Sequence, residues 1–199
     1  VSDSVTAIAP RSRLSAERHG VILDAVIDLV RKVGYEAMTM DAIAANAHTS
    51  KATLYRQWGG RAGLVVAALE RYHPHPSSPP DTGSLRGDLL GRIAQMDEKS
   101  AADVELFGGL VRAVSVDEEL REVIRTRLID PGLSELDAVF ERAIARGEIA
   151  ADNPALAHVG YLIAAFGLAH HFLRGAPATA ADLTSLIDDV VVPALTTSA

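Results

Sequence analysis

Residues 39–61 read TMDAIAANAHTSKATLYRQWGGR. Thr39 sets a hydroxyl ahead of a short segment in which Ile43 is followed by the small Ala44 and Ala47. Ser50 sets a second hydroxyl ahead of KATLYRQW. The Thr39 oxygen can accept from the unpaired N–H groups of a first helical turn, so it marks a helix start, and a further short helix is expected over about Ser50 to Trp58. The stretch predicts two short helices joined by a tight turn. At about 100° per residue, Leu54 and Trp58 fall on one stripe of the second helix, and Arg56 points the opposite way with Ala52 and Thr53 near it. Tyr55 sits on a flank and Lys51 in the first turn. Such a helix buries one edge and offers hydrogen-bonding side chains on the other.

Upstream, Val21, Ile22, Ala25, Val26, Leu29, Val30 and Val33 recur at helical spacing, with Ser15 as N-cap and Gly34 as stop. Downstream, a fourth helix begins near Arg61 and carries Leu64, Val65, Ala68 and Leu69. The composition then breaks. Residues 73–84, HPHPSSPPDTGS, hold four prolines and no aliphatic side chain, which forbids a continuous helix. The expected organisation is a polar tail over residues 1–14, a three-helix helix-turn-helix head over 15–72, a Pro-rich linker over 73–84 and a helical body over 85–199.

The body also reads as helix. Ser100–Asp103, Ser115–Glu118 and Thr179–Asp182 each match a hydroxyl cap answered by a carboxylate three residues on. Pro131 and Gly132 are expected to interrupt a helical stretch from Asp117 to Arg146. Asp152, Asn153 and Pro154 predict the start of a helix from Pro154 to Arg174, stopped by Gly175. The last helix is expected from about Ala180 to Leu195. With no alternating strand pattern of useful length, the fold class is all-α, with about nine helices.

The bulk composition narrows the chemistry. Hydrophobic residues make up 48% and charged residues 23% of 199, as in a globular protein. The absence of cysteine excludes disulfides, thiolate metal sites and cysteine nucleophiles. No apolar run approaches the roughly 18 residues of a membrane span, so no membrane association is expected. Residues 1–14 lack the apolar core of a secretory signal, and a cytoplasmic location is the expectation. The net charge of −7 is uneven: residues 1–72 carry nine Lys and Arg against seven Asp and Glu, and the remainder ten against nineteen. A mildly basic head on an acidic body fits contact with DNA at one end only.

The chemistry of the second short helix agrees. An arginine such as Arg56 can form bidentate hydrogen bonds to guanine, and the Thr53 methyl and Ala52 can contact a thymine methyl in the major groove. Lys51, Tyr55, Thr39 and Arg61 suit phosphate oxygens, and the helix N-termini at Met40, Lys51 and Arg61 add backbone N–H groups.

The joint placement of Thr39, Ile43, Ala44, Ser50, Thr53, Leu54, Tyr55, Trp58 and Arg61 resembles the TetR family of bacterial transcriptional regulators over about Ser15 to Tyr72. The resemblance implies a homodimer, a palindromic double-stranded DNA operator and a small-molecule effector whose binding in the body releases DNA. It puts Lys51, Thr53, Tyr55, Arg56 and Gln57 on DNA-contacting positions of the recognition helix, with Ser50 at its start, and Thr39 and Arg61 on phosphate-contacting positions. Two features depart from the family pattern: His48 stands where the turn often has glycine, and the Pro-rich segment follows helix four.

In the body, Gly160, Ala164 and Gly167 form a small-residue stripe that allows close approach of another helix. With His171, and with Leu183, Leu186, Ile187 and Val190 of the last helix, it is the expected dimer seam, since the family pairs its last two long helices. Tyr161, Phe166 and His170, with Met96, Phe107, Leu110 and Phe140, are the expected lining of a mostly apolar effector pocket. No metal or cofactor is expected: His170 and His171 diverge by about 100° on a helix, and His73 and His75 flank Pro74 without a metal-ligand spacing. Two other functions stay open at this level. One is an all-helical enzyme with His158 or His170 as general base, though no nucleophile motif accompanies them. The other is a helical interaction or carrier protein whose head does not bind DNA.

Overall fold

Hydroxyl and carboxylate caps set where the helices begin. In the computed structural model, which describes residues 15–72, 80–95 and 104–197, Ser15, Thr39, Ser50 and Ser84 each accept from a backbone N–H in the first turn of the helix they open. These helices are α1 (Ala16–Ala37), α2 (Met40–Asn46), α3 (Lys51–Trp58) and α5 (Leu85–Ala94), with α4 (Arg61–Tyr72) between the last two. α1 bends at Gly34, which has φ 77°. Then follow α6 (Val104–Val116), α7 (118–145), α8 (Leu156–Arg174) and α9 (180–196). The described residues thus form nine helical rods and no strand, as the periodicity predicts.

Several local expectations need correction. Pro131 does not interrupt α7. Proline lacks an N–H and its ring collides with the carbonyl four residues back, and the helix absorbs this by widening into a π-helical stretch, Arg125–Ile129, just ahead of it. α9 repeats the arrangement, with a π-helical Ile187–Val191 ahead of Pro193. The cap of α7 is Asp117, whose Oδ1 accepts from Leu120 N at 2.9 Å. Ser115 instead turns back into α6, its hydroxyl donating to Val111 O. α8 begins at Leu156, after a turn in which Asn153 Oδ1 accepts from Ala155 N. The Thr179–Asp182 box forms with both reciprocal bonds. The Ser100–Asp103 pair lies outside the described residues.

Two hydrophobic clusters build the core. The first packs α1, α2, α3 and α4 around Ile22, Ile27, Ile43, Leu54 and Leu64, and takes in Leu110 and Ala113 of α6 and Leu120 of α7. The second joins α5, α7, α8 and α9 through Leu89, Val139, Phe140, Val159, Leu186 and Val191. α4 touches α1 on one side and α7 on the other, so the first core spans the N-terminal helices and the body.

Residues 80–84 are fastened to α7 by a buried charge. Asp88 is fully buried. Its Oδ1 accepts from Thr82 N at 2.6 Å and Thr82 Oγ1 at 2.8 Å, and its Oδ2 faces Arg146 at 3.3 Å and Arg142 at 3.4 Å. Arg142 also donates to Pro80 O at 2.7 Å. Burial alone would raise the Asp88 carboxyl, but the Thr82 donors and the Arg146 guanidinium outweigh it and hold the group below its ordinary value. A carboxyl depressed in this way stabilises the fold above its unfolded value of about 4, and that contribution is lost as pH falls through the folded value. Asp88→Asn is expected to lower stability by about 2 kcal/mol at neutral pH and to flatten the acid side of a melting-temperature profile. An unchanged profile would show that Asp88 does not carry the acid sensitivity.

Candidate nucleic-acid interface

α2 and α3 meet across residues 47–50, and the turn is left-handed at His48, with φ 48°. A non-glycine residue in that region is strained, so something must hold it. Arg18 of α1 does so: its Nη2 donates to Ala47 O at 2.7 Å and His48 O at 2.6 Å. Asn46 donates to Ala25 O at 3.1 Å, tying the end of α2 to α1 as well. Beyond the turn, Ser50 Oγ accepts from Thr53 N at 3.1 Å and lies 2.9 Å from Thr53 Oγ1.

α3 buries Leu54 completely and half-buries Trp58. Trp58 packs against His19 of α1 with ring centroids 5.0 Å apart. Gly59, at φ 78°, caps the helix. α4 then comes so close that a side chain at Gly63 would collide with the Trp58 carbonyl. The outward side of α3 carries Ser50, Lys51, Tyr55, Arg56 and Gln57, all exposed, with Thr53 half-buried at its edge. Tyr55 is 51% exposed despite its size. Lys51 Nζ pairs with Asp41 at 2.9 Å, and Gln57 Nε2 lies 2.8 Å from His19 Nε2. Arg56 makes no ion pair among the described residues.

Thr39 is exposed and spends its hydroxyl on the α2 cap, accepting from Ala42 N at 3.2 Å. Arg61 does not project freely. Its guanidinium lies over the Tyr35 ring at 4.2 Å, donates to Met38 O at 3.2 Å and pairs with Asp117 of the body at 3.2 Å. An open depression brings Thr39, Tyr55 and Arg61 together with Asp41 and Glu119. Thr39, Tyr55 and Arg61 therefore share one depression, while Ser50, Lys51, Arg56 and Gln57 are exposed along α3. Arg18, His19, Tyr35 and Gly63, which support them together with Asp117, carried no local signal: Arg18, His19 and Tyr35 act across 26 or more residues of chain, and Gly63 lies inside an ordinary helical pattern.

The body residues are distributed differently from the expectation. Gly160 faces inward, against Leu133 of α7. Leu186 and Ile187 are buried in the second core, and Leu183 is half-buried. Ala164 is exposed, Gly167 meets open space and Val190 is 45% exposed. Tyr161, at 65%, is among the most exposed apolar side chains. Leu110 belongs to the first core, while Phe140 and Phe166 belong to the second. His170 packs on Phe166 with centroids 5.9 Å apart and has Nδ1 3.0 Å from Ala176 O. Met96, and the side chains of Phe107 and His171, lie outside the described residues.

A helix-turn-helix head on a larger all-helical body is the arrangement of one class, the DNA-binding transcriptional regulators. Residues 22–68 match the family described as bacterial regulatory proteins, tetR family, and residues 79–190 match the tetracyclin repressor-like C-terminal domain. A protein of Mycobacteroides abscessus named DNA-binding transcriptional repressor TetR is 36% identical over 178 residues, 88% of this chain and 92% of its own. An uncharacterised HTH-type transcriptional regulator of Mycobacterium bovis is 32% identical over 206 residues, spanning 100% of this chain and 96% of its own. The fold is also that of a TetR-family regulator from Rhodococcus sp., with a TM-score of 0.69 at 21% identity over 92% of this chain and 100% of that one. Salmonella enterica GusR gives 0.59 at 18% identity over 93% and 99%. The chain belongs to the TetR family of bacterial transcriptional regulators.

Arg18→Ala is expected to destabilise the protein by about 1–2 kcal/mol, because it frees two carbonyls and the strained turn at once. Adding His48→Gly is expected to recover part of that loss, since glycine adopts φ 48° without strain. A double-mutant cycle by denaturant melting checks this, and additive effects would dissociate Arg18 from the turn.

Proposed function

We propose that this protein is a ligand-responsive repressor that binds a palindromic operator as a homodimer. The observation that carries the reading is the outward side of α3. Lys51, Tyr55, Arg56 and Gln57 stand exposed around a buried Leu54, on a helix held by a short turn against α1 and α2. Arg56 is assigned to base reading, with Thr53 and Gln57 beside it, and Thr39, Ser50, Lys51, Tyr55 and Arg61 to phosphates. The repressor assignment is supported by the name of the Mycobacteroides abscessus relative. Residues 15–72 form the DNA-binding head in this reading, residues 85–199 the effector-binding and dimerisation body, residues 73–84 the linker and residues 1–14 a tail. A regulator that reads operator DNA works in the cytoplasm, and none of the described helices is long and apolar enough to cross a membrane.

Dimerisation is supported by α8, which is apolar around most of its circumference, a pattern that calls for cover on every side. One side packs on α7 and the second core. The other exposes Tyr161, Leu162, Ala164, Ala165, Ala169 and Leu173, the last at 83%. A second copy of α8 is the proposed cover, with the exposed Val190 of α9 at its margin. One recognition helix reads too few base pairs for useful specificity, and a two-fold dimer doubles the site. The effector is proposed to be a small, mostly apolar molecule held near Phe140, Phe166 and His170, with Met96 and Phe107 completing the set.

Binding to the DNA flanking the protein's own gene, measured at two salt concentrations, tests the first part. Saturable binding should weaken steeply with salt. Lys51→Ala should weaken binding to all sequences and flatten that dependence, and Arg56→Ala should relax sequence preference by roughly 1–3 kcal/mol. Absence of binding at low salt to this DNA and to a random pool overturns the reading. For the dimer, Leu162→Glu combined with Leu173→Glu is expected to yield monomers in sedimentation and to weaken operator affinity. A dimer that survives both charges would place the seam elsewhere.

A further inference from the structure

Arg61 is the first residue of α4 and borders the depression it shares with Thr39 and Tyr55. It is also a point at which the body reaches this side of the head, together with Tyr35 and with Glu119 at the rim of the same depression. Its Nη2 lies 3.2 Å from Asp117 Oδ2, and the same oxygen accepts from Tyr35 Oη at 2.9 Å. Asp117 is the N-cap of α7, its other oxygen being bound to Leu120 N at 2.9 Å, so its position follows the first turn of α7. The far end of α4 is tied to the same helix, with Arg127 Nε donating to Glu70 Oε1 at 2.8 Å. Tyr35 is buried, and burial with its hydrogen bond to Asp117 pushes its phenol up to about 12, so it remains a donor at physiological pH. The Leu120 N–H, with Tyr35 and Arg61, holds the Asp117 carboxyl below its ordinary range, so it stays charged. The side chains of Arg61 and Asp117 are 33% and 24% exposed, so solvent and solutes reach the pair.

We propose that Asp117 occupies, on Arg61, the place of an operator phosphate, so that the body and the DNA compete for one guanidinium. This rests on the reading of α2–α4 as the DNA-facing side. A carboxylate and a phosphate are both charged acceptors for guanidinium N–H groups, and the charge makes such bonds strong; here Asp117 takes Nη2, while Nη1 donates to Met38 O at 3.2 Å. Arg61 held by Asp117 is a phosphate contact withheld. Displacement of the α7 first turn moves Asp117 and changes how firmly it is withheld. The carboxylate therefore sets operator affinity from the body side without touching DNA.

The test is operator binding by the full chain, wild type beside Asp117→Asn, at several salt concentrations. Asparagine removes the charge and keeps one oxygen for the cap; its amide NH2 then stands where Oδ2 was, a donor that Tyr35 Oη can accept but that the Arg61 guanidinium cannot. Asp117→Asn is expected to bind roughly three- to tenfold tighter, in line with a partly exposed pair, and with a salt slope steeper by about one phosphate. Asp117→Ser, which also caps, should behave alike and covers the case in which one variant fails to fold, as judged by its melting curve. The gain must vanish in the Arg61→Gln background. Unchanged or weaker binding by folded Asp117→Asn and Asp117→Ser overturns the proposal and makes Asp117 a structural or pre-organising group. Wild-type protein that binds no DNA overturns the DNA reading itself, a result that the variants cannot mimic.

Discussion

Eight consecutive residues of α4, Ala62 to Leu69, are buried. A helix buried over two full turns has no solvent face and must be covered on every side. α1 covers one side, α3 approaches through the Gly63–Trp58 contact, and α7 covers another. The rest of the arrangement follows from this. The recognition helix cannot be placed without α4, and α4 cannot be desolvated without the body. The first core accordingly includes Leu110, Ala113 and Leu120 alongside the N-terminal helices. Interiors this closely packed do not deform smoothly, so a shift of α7 is felt at the start of α4.

Charge is used with similar economy around that core. The pairs that matter for position are partly or wholly withdrawn from water: Asp88 with Arg142 and Arg146, and Asp117 with Arg61. Each joins segments far apart in the chain, and each leaves its carboxylate hydrogen-bonded to N–H and O–H donors as well. Arg86 adds a bidentate contact from α5 to Asp188 on α9, at 2.7 and 2.8 Å, but in a more exposed setting where such pairs contribute little. The two long body helices that contain proline share one device, a π-helical stretch two residues ahead of the ring. The extra room removes the carbonyl clash while the helix continues, which keeps α7 one rod from Asp117 to the second core.

Local chemistry was the legible part of this chain. Ser15, Thr39 and Thr179 announce helix starts because a cap needs only its own first turn. The polar side of α3 is legible for the same reason: Leu54 and the exposed Lys51, Tyr55 and Arg56 are separated by helix period alone. The reading weakened where two local signals competed, as at Ser115 and Asp117, both able to cap α7. It failed at Pro131, where a helix breaker is accommodated by a change of helical width that leaves no sequence mark.

Periodicity states which residues share a stripe of α8 but not which stripe faces the core. The small stripe through Gly160 and the stripe through Tyr161 were both apolar, and either could have turned inward. Neither did so as a whole: Gly160 packs on Leu133, while Ala164 of the same stripe and Tyr161 of the other stand in solvent, because the rotation of a helix about its axis is set by the neighbours it packs against. The same holds for Arg61, whose basic charge was plain and whose partner, Asp117, lies 56 residues away. The sequence by itself determined that the chain is helical throughout, the caps at Ser15, Thr39 and Thr179, the polar side of α3 and the family, all of which depend on short-range spacing. Only the tertiary structure decided which faces are buried and which distant charges meet, since those depend on how separate helices dock.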